Sequence, residues 1–186
     1  MASDPVSNEP ANVDVQPVLT GASLQLRPLV QDDFEALYGA AADPLIWEQH
    51  PDPLRWQRPA FEKYFDGALA SRGALAVIDK KTGRIIGSSR YYQWNPEQRE
   101  IFIGFTFLAR EYWGGTTNRE MKQLMLDHAW GFADRVWFHV GRDNHRSRRA
   151  MEKIGAIYSH EEKVNVTGVA IDYVFYRMDR PPDPLD

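Results

Sequence analysis

Apolar positions along the chain change period in a way that spells out its elements. Leu24 and Leu26 alternate with polar neighbours and, with Pro28-Leu29, predict a first strand. Behind Gln31-Asp32-Asp33 the spacing becomes helical, with Phe34, Leu37 and Tyr38 on one face, and Pro44 stops that helix. A second helix begins near Pro59 and carries Phe61, Tyr64, Phe65 and Leu69 in one stripe until Arg72-Gly73. Three strands follow as a meander at 74–79, 84–92 and 100–108, joined by Lys80-Lys81-Thr82-Gly83 and by Trp94-Asn95-Pro96. The third alternates Ile101, Ile103, Phe105 and Phe107 with Phe102, Gly104, Thr106 and Leu108. Few of these are polar, which predicts a central strand buried on both faces.

After that strand two glycines, Gly114 and Gly115, free the backbone, and Thr117-Asn118-Arg119-Glu120 reads as a capping box. The helix it opens places Met121, Leu124, Met125, His128 and Phe132 along one stripe. A strand, a glycine turn and a helix N-terminus together make an anion site, because unpaired amides and the positive helix end face the turn. A short apolar strand at 135–140 completes a right-handed parallel unit. Asp143-Asn144 then caps a helix that ends at Gly155, and strands at 157–164 and 169–178 meet at Asn165-Val166-Thr167-Gly168.

Composition narrows the classes. The 186 residues fit one domain, and no apolar run reaches the length of a membrane span. Lys and Arg number 22 against 26 acidic residues, so the net charge of -4 argues against a global hold on nucleic acid. Cysteine is absent, which removes disulfides, thiolate metal sites and a cysteine nucleophile. Residues 1–21 are rich in Pro, Asn, Asp and Ser, lack the pattern of a secretion signal and read as a disordered leader, with residues 180–186 as a flexible tail. The domain is expected at 22–179 and the location in the cytoplasm.

The element order, with Tyr112-Trp113-Gly114-Gly115-Thr116-Thr117-Asn118 after the central strand and Asn144-x-x-Ser147 before Lys153-Ile154-Gly155, resembles the GNAT acetyltransferases. Within them it resembles the branch of ribosomal-protein N-terminal acetyltransferases. The resemblance implies an α/β fold: a mixed central sheet of about six to seven strands flanked by about four helices and splayed between the fourth and fifth strands. It implies acetyl-CoA as co-substrate. The backbone of Thr106, Phe107 and Leu108 would pair with the pantetheine arm, and Trp113, Gly114, Gly115, Thr116, Thr117 and Asn118 would cradle the pyrophosphate. Asn144 and Ser147 would lie near the sulfur end. Trp113, Thr116 and Asn118 replace the family's Gln or Arg, first Gly, and Gly or Ala.

The implied reaction is direct attack of a primary amine on the thioester in a ternary complex, which needs a base. The family's glutamate position holds Phe102, so Glu100, two residues earlier on the same strand face, and His139 are the candidates. The family's tyrosine acid is replaced by Met151, leaving Tyr158 or Tyr173 as hydroxyl donors. These two replacements also support a rival reading, a non-catalytic acyl-CoA-binding module. Trp47, Trp56 and Tyr91 are expected to wall the amine site, with Asp43, Glu48 and Asp52 holding its positive charge. The acceptor is a small molecule or a protein N-terminus. Arg146, Arg149 and Lys153 share a helical face suited to the 3′-phosphate, and Arg148 is spaced to pair with Glu152. Strand edges leave a homodimer open. No metal ligand set stands out.

Overall fold

The computed structural model describes residues 13–166 and 169–182. Eight strands form one mixed sheet in the order β1-β2-β3-β4-β5-β6-β8-β7. They are β1 (Leu19–Thr20), β2 (Leu24–Pro28), β3 (Ala74–Asp79), β4 (Ile85–Asn95), β5 (Glu100–Leu108), β6 (Arg135–Gly141), β7 (Ile157–Val166) and β8 (Val169–Asp179). The helices are α1 (Phe34–Ala41), α2 (Pro44–Trp47), α3 (Arg58–Ala70), α4 (Thr117–Ala129) and α5 (His145–Lys153), with 3-10 turns at Gln31–Asp33 and Arg110–Tyr112. No described helix is long and apolar enough to cross a membrane.

All neighbouring strands are antiparallel except β5 and β6, which are parallel over only three rungs, Glu100–Arg135, Ile101–Val136 and Phe102–Trp137. Beyond Phe102 the two strands part, and a wedge opens toward the C-terminal end of β5. β5 also carries a bulge. Ser88 faces Phe107 and Arg90 faces Gly104, so three steps on β5 match two on β4. The extra residue is Phe105, held at φ 52 with its ring exposed. The strict alternation expected for this strand therefore breaks there. Ile101 and Ile103 join the α4 core, whereas Phe107 joins the core on the other face.

That second core contains Leu29, Leu37, Trp47, Phe61 and Phe65 from the early helices. The first packs Met121, Met125, Leu126 and Ala129 of α4 against Ile101, Val136 and Phe138. Burying this much apolar surface on both faces is the main force holding the sheet. Asp33 pins the entry to α1, taking Arg27 at 2.7 and 2.8 Å and the Val30 amide at 3.0 Å. Burial alone would raise the Asp33 carboxyl, but these donors outweigh it and hold it below the ordinary value.

Two short elements lie outside the sequence expectation. Pro44 does stop α1, yet it also starts α2, because a proline suits the first helical turn and Asp43 caps it by accepting the Leu45 amide at 3.0 Å. Residues 13–20, grouped with the leader in the sequence, pack on the domain: Leu19 pairs with Leu26, Val15 joins the first core, and Gln16 donates to the Ala74 carbonyl at 3.2 Å. Residues 1–12, residues 167–168 of the last turn and residues 183–186 of the tail lie outside the described residues.

Candidate active site in the wedge between β5 and β6

The wedge has two sides. On the α4 side lies the turn after β5. Gly114 sits at φ 75, a left-handed conformation that only glycine adopts cheaply, and Gly115 faces open space. α4 begins at Thr117, and Thr116 gives it no side-chain cap. The expected capping box does not form: the Glu120 carboxylate reaches across to the Ser23 and Leu24 amides at 2.7 and 3.1 Å and to the Ser23 hydroxyl. Its pull toward β2 leaves the first amides of α4 free of side-chain acceptors, which suits a phosphate. Trp113 folds back, with its indole donating to the Leu108 carbonyl at 3.0 Å.

Between α4 and α5 a groove of about 230 Å³ is lined by Arg119, Lys122, Gln123, Leu126, Lys153 and Ile154. Lys122, which the sequence reading did not single out, is 1% exposed. Its Nζ donates to Thr106 Oγ1 at 2.7 Å and to Ser89 Oγ at 3.4 Å, and stands 5.6 Å from the Phe138 ring. Burial without a counter-charge pushes its ammonium down to about 7. The residue type hid it: on α4 it falls between Met121 and Met125, and a lysine there reads as solvated.

Asn144 is buried at 5% exposure, and its side chain accepts the Ser147 amide at 3.1 Å, so it caps α5. Met151 is buried in the first core. Arg146 is occupied elsewhere: it stacks on Trp113 at 4.0 Å, donates to the Ile46 carbonyl at 2.6 Å and pairs with Glu48 at 3.6 Å. Arg148 donates to Tyr176 Oη at 3.3 Å and to the Arg142 carbonyl at 3.0 Å, not to Glu152. Of the expected basic face, Lys153 alone lines the groove.

The opposite side of the wedge is aromatic. The His139 ring lies 4.7 Å from Tyr173, 5.6 Å from Phe175, 5.7 Å from Tyr92 and 5.9 Å from Phe102. Its Nε2 is 3.3 Å from Tyr92 Oη. Burial among these rings pushes the imidazole down to about 4, so it is neutral at ordinary pH. Glu100 sits on the first of the three parallel rungs and is engaged on both oxygens, by Arg135 at 3.1 Å and by the Trp137 indole at 3.0 Å. Tyr173 lies beside His139, whereas Tyr158 is exposed and packs against Tyr176.

The expected amine wall needs correction. Tyr91 points the other way, buried at 1% exposure with its hydroxyl on the Met125 carbonyl at 2.6 Å, because strand alternation puts Arg90 and Tyr92 on the aromatic side instead. Trp47 is core, with its indole on the Ala41 carbonyl at 2.8 Å, and Trp56 packs beside it. The three loop carboxylates are spoken for: Asp43 by Arg110 at 2.6 Å, Glu48 by Arg146, and Asp52 by Arg55 at 3.3 Å. None is left to hold a cationic amine.

A family model described as an acetyltransferase (GNAT) domain matches residues 23–157. Among solved structures, a GCN5-related N-acetyltransferase from Brucella melitensis is 22% identical with a TM-score of 0.76, over 89% of this chain and 79% of that one. A protein from T. thermophilus assigned as an acetyltransferase is 26% identical with a TM-score of 0.73, over 88% of this chain and 89% of that one. RimL, described as a ribosomal L7/L12 alpha-N-protein acetyltransferase and solved in complex with coenzyme A, is 17% identical with a TM-score of 0.70, over 88% of this chain and 98% of that one. No curated protein matches the sequence.

Proposed function

The chain belongs to the GNAT acetyltransferase family, and from that premise we propose that it moves the acetyl group of acetyl-CoA to a primary amine by direct attack in a ternary complex. The observation that carries this reading is the wedge itself. Past Phe102–Trp137 the inner edge of β5 has no β6 partner, and the turn at its end opens onto the uncapped start of α4. A strand edge offers amides and carbonyls to the two amide groups of a pantetheine arm, and the helix start offers amides to a pyrophosphate. Acetyl-CoA is the co-substrate. Thr106, Phe107 and Leu108 would line its arm, residues 113–118 its pyrophosphate, Arg119 and Lys153 its outer phosphate, and Asn144 and Ser147 the far wall.

The amine enters from the aromatic side. His139, neutral and beside Tyr92, accepts the proton that the amine loses, directly or through water, while Glu100 fixes Trp137 and Arg135 next to it. An amide near the Phe105 bulge donates to the developing oxyanion. Met151 cannot protonate the departing sulfur. Lys122, beside Thr106 and with its ammonium brought down to about 7 by burial, is the donor on that side. The test is thiol release from acetyl-CoA across a panel of amines and N-terminal peptides. Turnover with at least one acceptor is expected; tight CoA binding with none would return the protein to the class of binding modules.

A further inference from the structure

The aromatic side of the wedge contains a cation that the proposed chemistry does not use. Arg90 is 7% exposed, yet its Nε finds no hydrogen-bond partner. Its guanidinium lies 4.0 Å from the Phe105 ring and 5.8 Å from the Tyr64 ring, and among the described residues it forms no ion pair with a carboxylate. A buried charge without a counter-ion is costly, and native proteins rarely keep one without a use.

A second arginine stands by the same ring. Arg55 lies 4.9 Å from Tyr64 and 5.2 Å from Trp47, and its single ion pair among the described residues is a 3.3 Å contact from Nε to Asp52. Arg90 reaches the face that holds His139 through Phe105 and Tyr92, which packs 5.1 Å from Phe105 and 5.7 Å from His139, and Arg55 joins Arg90 at the Tyr64 ring. With Asp43 and Glu48 bound to other arginines and Asp52 to Arg55, it is the Arg90 charge that stands without a carboxylate among the described residues, on the side where an amine is to be acetylated.

We propose that Arg90 and Arg55 select the acceptor, and that the acceptor is a small primary amine bearing a carboxylate or phosphate group. This rests on the acceptor side assigned above. The anion would meet the guanidiniums as a planar or tetrahedral partner for their N–H forks, with Phe105 turning aside from Arg90, while the amine points toward His139. A polyamine or a lysine-rich chain end would meet like charge. The depth of Arg90 beneath Phe105 favours a small ligand over a folded protein surface.

The test uses matched amines: L-alanine against L-alaninamide, phosphoethanolamine against ethanolamine, and spermidine as the cation. Thiol release gives kcat/KM for each, and calorimetric titration of the CoA-loaded protein gives affinity without turnover. The anionic member of at least one pair should be favoured by about 10-fold or more, and the larger ratio tells carboxylate from phosphate. Arg90→Met should collapse that ratio and Arg90→Lys should keep part of it. Arg55→Met provides an independent variant at the second guanidinium. Preference for spermidine or the neutral amines, or a ratio that survives both methionine variants, overturns the proposal. Anion preference in calorimetry without thiol release would sink the transferase reading and leave the anion site standing; turnover without anion preference would do the reverse.

Discussion

His139 and Glu100 stand on one face of neighbouring strands but differ in what holds them. Both Glu100 oxygens are taken by donors, whereas among the described residues His139 meets only the Tyr92 hydroxyl and aromatic rings. His139→Gln should therefore lower kcat by about 100-fold or more with the KM for acetyl-CoA little changed, while Glu100→Gln should act mainly on stability, by about 1 kcal/mol. Comparable losses of kcat in both would reverse the assignment. Lys122 makes the second residue-scale case. Its folded pKa, about 7, lies below the 10.5 of a free lysine, so the unfolded chain binds more protons between those values and stability rises with pH across that window. Lys122→Met should raise the melting temperature most at or below pH 7, raise it least in alkali, and slow turnover. A variant that melts lower at pH 6 would show that the lysine is not under strain. Neither role was legible in the sequence beyond residue type: histidine and glutamate were visible as candidates, but only the fold shows which is already engaged.

At the scale of elements, periodicity was a good guide wherever burial set it. The strand at 100–108, the helix opening near Thr117 and the parallel unit at 135–140 all appear within a residue or two of expectation. It failed where one residue changed the phase. The bulge at Phe105 swaps the faces of everything after it, and nothing in an apolar run marks such an insertion. α2 escaped because Pro44 serves as both stop and start. The missing capping box has a similar lesson: Glu120 had the right spacing, but the Ser23 and Leu24 amides on another strand were better placed. Gly114, at φ 75, is the turn's one conformationally demanding position. Gly114→Val should weaken CoA binding by about 10-fold or more through loss of the cradle's shape, measured by calorimetry, whereas Gly115→Ala should be mild because the space there is open. Equal effects at both would place the cradle elsewhere.

The whole molecule inherits a pH response from its buried bases. Burial, reinforced by the Arg55 charge, pushes His50 down to about 3, and burial alone pushes His139 down to about 4. Each has a folded pKa below the 6.5 of free histidine, so the unfolded chain takes up protons first as pH falls, and stability should drop progressively below about pH 6.5. Chemical denaturation at pH 7 and 5 checks this: His139→Gln should reduce the difference between the two, and a difference that stays the same would exclude His139 as a source. The packing of residues 13–20 was not legible in the composition, since a two-residue strand just after Pro17 has no period to read.

The three rungs joining β5 to β6 make the sheet mechanically two plates with a narrow seam. The core under α4 spans both plates while the early-helix core stays on one, so the seam is the place where the molecule can flex without unfolding. Amide deuterium exchange should show this as rapid labelling, in the free protein, at those amides of residues 103–108 that face the gap and do not pair with β4, and as marked slowing there when CoA fills the gap, with the outer strands unchanged. If the free protein labels slowly there, the gap is rigid in advance. On the seam's behaviour the ligand is part of the architecture, completing with its own amide groups a ladder that the chain leaves unfinished.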